Sequence, residues 1–409
     1  SGNYKLYKMS LYLAAKGNNV DEAKHLATGV LSSLHSNGIE AKYTINYNEQ
    51  LIKSIIPTGN NHLPGKEILV PGPAAAASFP FSSSFYDIDE EEGILLGFNS
   101  NNIPIAKSIW KLPKYIGAVI GSTGSGKSYA AKALILNERM ANDTKVFILD
   151  PEDEYTEMCK MIPKSQVIRI NKDSKNIPNL LSLNGVELLE KLMVLPRIFN
   201  VLLGGLSESQ KPLLERCLVK AYLAKGIKED DERTHSKKAP KLSDLYKIME
   251  QEKNKCKDHS LKNDYEIMLN RLGRYCTGIF KFMNTDNSGI LKESKFVVFE
   301  FKSMPLEIRA VLMMTLLEFI NGRFRSTDDK KMLVLDEAWR VLKSREEAEY
   351  IENFARTFRK NNGSLILITQ SVAELENSQE GKAFLSNAAF KYIFKTEGAV
   401  IEETAKCLD

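Results

Sequence analysis

The chain has 409 residues, 43% of them hydrophobic and 26% charged, and its 56 basic and 52 acidic side chains leave a net charge of +4. That length exceeds one ordinary core and calls for a large domain with at least one smaller unit. The near balance of charge argues against a protein wrapped around nucleic acid, although a local basic face stays open. Five scattered cysteines without C-x-x-C spacing set aside disulfide and zinc frameworks and fit reduced thiols in the cytosol.

Taken in chain order, Ser1-Gly2-Asn3-Tyr4 reads as a cut within a longer protein. Residues 6–14 alternate as a short strand. Residues 20–34 form an amphipathic helix opening at Asn18-Asn19, and residues 39–45 are expected to be a second strand. Residues 1–60 are read as the tail of an N-terminal α+β domain. Residues 61–92 are read as a linker, because the stretch 57–84 is rich in Pro, Gly, Ala and Ser.

From residue 93 the pattern becomes α/β. A short strand at 93–97 precedes a buried strand at 115–120, a helix at 127–140 and a buried strand at 146–149. Such alternation implies a mainly parallel sheet covered on both faces, with its first part in residues 93–185. Residues 186–285 turn helical and charge-rich, with helices expected at 186–203, 208–225, 241–253 and 262–275 and an exposed loop at 228–241. This stretch is read as an all-helical insertion. The sheet resumes over 286–409: strand 296–301, helix 306–324, strand 332–335, helix 345–360, strand 365–368 and a last strand, 392–395, after a further helix. The longest apolar region, 310–320, is interrupted by Thr315 and Glu318 and falls short of the roughly 20 residues that span a bilayer. Cys407-Leu408-Asp409 is expected to lie before the natural end.

The strand at 115–120 runs into Gly121-Ser122-Thr123-Gly124-Ser125-Gly126-Lys127-Ser128. Its glycines let the backbone curl so that successive N–H groups point at phosphate oxygens, and the following helix adds its positive end. Lys127 is expected to reach the β- and γ-phosphates and the Ser128 hydroxyl to hold Mg²⁺. Tyr129, in the same helical turn, is counted with the nucleotide contacts. A chance match in a turn would lack the apolar strand before and the helix after. ATP and Mg²⁺ are therefore the expected cofactors.

Met332-Leu333-Val334-Leu335-Asp336-Glu337 supplies the carboxylates that such a loop needs on a neighbouring strand. Asp336 is expected to hold the metal shell and Glu337 to polarise the attacking water. The plainer reading is two acids that end a strand and cap a helix. Leu365-Ile366-Leu367-Ile368-Thr369-Gln370 ends in a glutamine that either senses the γ-phosphate and its water or merely ends a strand. Arg356, Arg359 and Lys360 close a helix, where the dipole favours cations in any case. The sharper reading has Arg359 acting on a neighbouring subunit's ATP. The acids of Asp150-Pro151-Glu152-Asp153-Glu154-Tyr155 either orient metal-bound water or cap a helix, and Trp339 and Arg340 are packing residues or contacts to DNA or a partner.

With these residues in place the chain resembles the VirB-four family of conjugation and type IV secretion ATPases, with TrbE and TraC as relatives, inside the HerA/FtsK group of RecA-like P-loop motors. The resemblance covers most of the chain. It rests on the glycine loop, on Asp150-Pro151-Glu152 with Glu154-Tyr155, on Leu335-Asp336-Glu337-Ala338-Trp339, on Arg356-Thr357-Phe358-Arg359-Lys360-Asn361 and on Thr369-Gln370. Phe79-Pro80-Phe81 and the Gly93 to Gly97 stretch are similar to the family's approach to its motor. Ile177-Pro178-Asn179-Leu180 departs from the family's N-P-L and receives no role. The resemblance implies a RecA-like α/β motor with a helical insertion and a truncated N-terminal remnant. It also implies a homo-hexamer whose isolated motor portion can be monomeric, other secretion components as partners, and a cytoplasmic position at the inner face of the membrane, held there through those partners. A HerA/FtsK-type DNA translocase shares every catalytic residue and stays open as an alternative, with DNA as a partner. So does a nucleotide-gated assembly scaffold.

Overall fold

The structure, a computed structural model, describes residues 5–44, 46–56, 60–63, 65, 67–78, 91–99, 102–122, 124–287, 294–325, 327–337, 345–370 and 379–395. Thr123, Phe79-Pro80-Phe81, Ala338, Trp339, Arg340 and the last residues fall outside these, and the readings attached to them rest on sequence. The chain divides into two compact units, Ser1–Tyr86 and Asp87–Asp409.

In the first unit, strand β1 (Leu6–Met9) pairs antiparallel with β2 (Ile68–Pro71). Helix α1 (Val20–Ser36) starts at Asn19, whose side chain accepts the Glu22 N–H, while Glu22 accepts the Asn18 N–H. That reciprocal cap satisfies two donors at the helix start. The strand expected at 39–45 is absent from the described residues 39–44. The Ile39 N–H turns back onto the Leu34 carbonyl at the end of α1, and helix α2 (Asn48–Ile55) follows. The expected linker also contains structure, namely β2 and helix α3 (Gly72–Ala77). Its Pro and Ala content misled: proline at the first helical positions is pre-organised for a helix, and alanine is the best helix former.

The second unit is built on a parallel sheet. Strand β3 (Ile94–Phe98) and β4 (Pro104–Lys107) form an antiparallel hairpin beside it. Among the described residues seven strands then order as β11–β5–β10–β9–β6–β8–β7, every neighbouring pair parallel. They are β5 (Ile116–Ile120), β6 (Lys145–Asp150), β7 (Ser165–Arg169), β8 (Phe296–Glu300), β9 (Lys331–Leu335), β10 (Gly363–Thr369) and β11 (Phe390–Ile393). The sequence reading did not include β7, whose Ser165-Gln166-Val167-Ile168-Arg169 is mixed in polarity and follows a short helix, α5 (Thr156–Met161).

The inner strands are apolar on both faces because both are covered. Alternate residues divide between two layers, as the period of two requires. Val119, Ile148, Val334 and Ile368 face helix α4 (Lys127–Asn142) and α5. Ala118, Leu149, Leu335 and Leu367 face α10 (Leu306–Phe324) and α11 (Arg345–Lys360). The second layer continues without a break into helices α6 (Leu188–Leu202), α7 (Gln210–Ala224), α8 (Leu242–Lys255) and α9 (His259–Cys276). The loop expected at 228–241 carries a short 3₁₀ turn, Glu232–Ser236, with Thr234 buried.

A buried polar cluster helps to bind that helical region to the motor. The Lys191 ammonium of α6 lies 3.3 Å from Glu318 of α10, and Tyr350 of α11 donates to the same carboxylate at 2.9 Å, all three being buried. Among the described residues the final helix, α12 (Gln379–Asn387), precedes edge strand β11. No helix of the described residues is long and apolar enough to cross a membrane.

Candidate functional site

At the carboxyl edge of the sheet the register sets which residues meet. Thr369 pairs with Ile120, Leu367 with Leu335, and Leu335 with Leu149. Gln370 thus follows β10 beside the start of the glycine loop, while Asp336, Glu337 and Asp150 emerge just across from it. Strand β10 lies between β5 and β9, so the acidic pair is one strand further from the loop than the neighbouring strand expected from sequence. That intervening strand is what brings Gln370 between them. Its Nε2 donates to Glu337 Oε1 at 2.7 Å.

The loop is held at its first half and open at its second. The Gly121 N–H donates to Thr369 O at 3.3 Å, and Ser122 donates both its N–H and its hydroxyl to Lys395 O, two residues past β11. Gly124 and Gly126 have φ of +78° and +93°, with open space where a side chain would stand. Only glycine takes such angles without strain. Helix α4 starts at Gly126 with no side chain capping it, so its first amides point outward unsatisfied. The Ser125 hydroxyl is buried with no hydrogen-bond partner. Free amides, an orphaned hydroxyl, a half-buried Ser128 and the buried Lys127 fit a polyphosphate. Tyr129 points its side chain outward, 82% exposed.

Opposite the loop, acids are crowded in a buried place. The Asp336 carboxyl is pushed up to about 7, first by burial and then by the Glu154 carboxylate. Lys127 and the Glu337 N–H pull it back only in part. The Glu337 N–H donates to Asp336 Oδ1 at 2.9 Å, and Glu337 itself is buried with φ +51°. A non-glycine residue in the left-handed region directly after a strand is a strained conformation of the kind concentrated at working sites. Excess buried negative charge beside a lysine suits a divalent cation. Among the described residues no cluster of three or more protein ligands exists, and Mg²⁺ bound through one carboxylate, waters and phosphates needs none.

In the Asp150 motif the carboxyl closes the turn that precedes α5, and no side chain caps the helix itself. Asp150 accepts the Glu154 N–H at 3.0 Å and the Tyr155 N–H at 2.9 Å, and burial pushes its carboxyl up to about 6. This turn seats Tyr155 in the core next to Asp336, with the Lys132 ammonium 5.4 Å from the ring centroid. Glu152 pairs with Arg309 at 2.8 Å, and Arg309 also donates to Met304 O and Lys302 O. Sequence reasoning passed over Arg309, since nothing in its helical context marks a partner 157 residues away.

Arg359 is not in this group. It donates to Pro113 O and stacks on Tyr115, its guanidinium 5.7 Å from the ring centroid, at the amino end of β5. Five strand residues at about 3.3 Å each place it roughly 16 Å from the glycine loop of its own chain. Arg356 pairs with Glu352 on the same helix.

A loop, an acidic strand end and a glutamine strand end with this order of strands agree with a family match over residues 113–404 to the AAA-like domain. The chain belongs to the AAA-like domain family. It is 24% identical to protein TraC of Escherichia coli (strain K12) over 307 residues, which is 69% of this chain and 32% of TraC. The chain thus spans about a third of the length of that relative. The fold is also that of VirB4 of Thermoanaerobacter pseudethanolicus, with TM-score 0.70 and 24% identity, covering 78% of this chain and 89% of that one. The resemblance carried by the D-E-A-W, R-K-N and T-Q residues is borne out by these two similarities, as is the expected RecA-like α/β class.

Proposed function

We propose that this chain is the motor portion of an ATPase that powers assembly of, or substrate transfer through, a type IV secretion or conjugation machine. The observation that carries the reading is the Gln370–Glu337 hydrogen bond, formed where β10 inserts between the glycine loop and the acidic strand end. The similarity to TraC and VirB4 supports the secretion setting.

In this reading the amides of residues 126–129, Lys127 and the Ser125 hydroxyl bind the phosphates. Ser128 and Asp336 hold Mg²⁺, which neutralises charge on the phosphates. Glu337, oriented by Gln370, accepts the proton of the attacking water. Arg359 faces away from its own site, so its action on ATP belongs to a neighbouring copy in a ring, proposed as a hexamer. The protein works at the inner face of the cytoplasmic membrane, held by other secretion components.

The test is Glu337→Gln in the intact protein. Nucleotide binding is expected to persist while phosphate release falls at least a hundredfold, by analogy with the usual worth of a general base. Near-normal hydrolysis would remove Glu337 from the chemistry. Transfer that persists with hydrolysis abolished would replace the motor with a nucleotide-gated scaffold.

A further inference from the structure

Beside the first two turns of α4 lies a cavity of about 170 Å³ that the phosphate-binding residues leave unused. One wall is the small-residue face of the helix, Ala130 and Ala133. Opposite stand Leu95 and Leu96 of the β3–β4 hairpin, and the floor is Val119 of β5 with Tyr392 of β11. Tyr129 stands at the mouth, its ring exposed to solvent. Position is the first argument: six residues of helix at about 1.5 Å each put Ala133 about 9 Å from Lys127, along the flank of the helix whose amino end faces the phosphates. Tyr129, which lines the cavity, follows directly on Lys127 and Ser128 in the chain.

Composition is the second argument. The walls are aliphatic and aromatic, as flat heterocyclic rings prefer. Among the lining side chains only the two tyrosines bring polar atoms, and the Tyr392 hydroxyl is buried without a hydrogen-bond partner among the described residues. A phosphate has no use for such a surface. A purine ring does.

We infer that this cavity receives the nucleotide base, gripping it by shape and by the Tyr129 ring and not by a pattern of hydrogen bonds, so that adenine and guanine are held almost equally. The inference rests on the ATPase reading above and adds the base subsite to it. The one unpaired hydroxyl in the lining, that of Tyr392, can donate or accept, so it does not choose between the 6-amino group of adenine and the 6-oxo group of guanine, and apolar walls do not strongly reject a ring of similar size.

The experiment uses the intact protein, ATP, GTP and inorganic tripolyphosphate as competing ligands, and 8-azido-ATP as a photolabel. ATP and GTP are expected to bind within about threefold of one another. Tyr129→Ala removes an exposed ring, and Ala133→Leu fills the cavity. Each is expected to weaken ATP about five- to tenfold, the usual worth of one base–aromatic or packing contact, and Ala133→Leu, which lies outside the phosphate-binding residues, to leave tripolyphosphate affinity unchanged. The azido label is expected on peptides containing Leu95-Leu96 or Tyr129. If the unaltered protein binds ATP but the label maps elsewhere, or neither substitution alters ATP affinity, the base lies in another place and the inference falls alone. A hundredfold preference for one purine overturns the shape-only grip. If neither ATP nor tripolyphosphate binds the unaltered protein, the ATPase reading itself fails.

Discussion

Asp336 offers a quantitative test of how the site is built. Replacing it with asparagine removes a carboxylate whose folded-state value is pushed from the ordinary 3.8 up to about 7 by burial and by Glu154. For an acid displaced upward the sign is opposite to that of an ion-paired acid. Between the two values the folded chain holds a proton that the unfolded chain has released, so stability falls as pH rises through that window and levels off above about 7. The whole displacement corresponds to about 4 kcal/mol. Of this roughly 1 kcal/mol is lost between pH 6 and pH 8, where the folded carboxyl ionises. Asp150, displaced to about 6 by burial, acts in the same direction at lower pH.

Thermal unfolding in chelator, without nucleotide, reads this directly. The melting temperature of the unaltered protein should drop from pH 6 to pH 8, by a few degrees relative to Asp336→Asn, at about 2–4 °C per kcal/mol. At pH 8 the asparagine variant should be the more stable of the two while losing its response to Mg²⁺ and ATP. That is the trade between stability and activity expected where buried charge is kept for work. Identical pH slopes in the two proteins, or a variant less stable at pH 8, would refute the view of Asp336 as an uncompensated buried acid.

Two further outcomes follow from the hydrogen-bond geometry. Gln370→Ala should lower kcat for ATP hydrolysis by about tenfold to a hundredfold with little change in KM, since it orients the base and leaves the phosphate grip intact; steady-state rates check this, and an unchanged kcat would reduce Gln370 to a strand-end residue. Lys191→Met leaves the Glu318 carboxylate buried without its cation and should cost about 3–5 kcal/mol, much of it recovered when Glu318→Leu is added. Denaturant midpoints of the single and double variants measure it, and an additive loss would show that the pair is not coupled.

Much of the fold was legible because the strands are covered on both faces. Continuous runs such as Val297-Val298-Phe299 and Leu365-Ile366-Leu367-Ile368 have few alternatives in a chain of alternating elements. The glycine loop was legible for a different reason, since it needs small residues at fixed offsets. Strand order was not. Nothing local in Leu335-Asp336 or Thr369-Gln370 says that the second strand lies nearer the loop than the first, because order is decided by long-range pairing. The unit before residue 87 was read least well, since the Ala-rich stretch at 74–77 has one composition and two meanings, linker or helix, and only the proline at its start separates them. Partnerships across long distances, Arg309 with Glu152 or Tyr350 with Glu318, leave no mark at either residue.

The hydrogen bonds from Ser122 to Lys395 O tie the segment just past β11 to the glycine loop. Among the described residues β11 is an edge strand, bonded on one side to β5. Whatever pulls on the chain beyond Lys395 therefore pulls on Ser122, with one carbonyl as the lever arm. Occupancy of the loop and tension on the segment leaving β11 thus meet at one carbonyl.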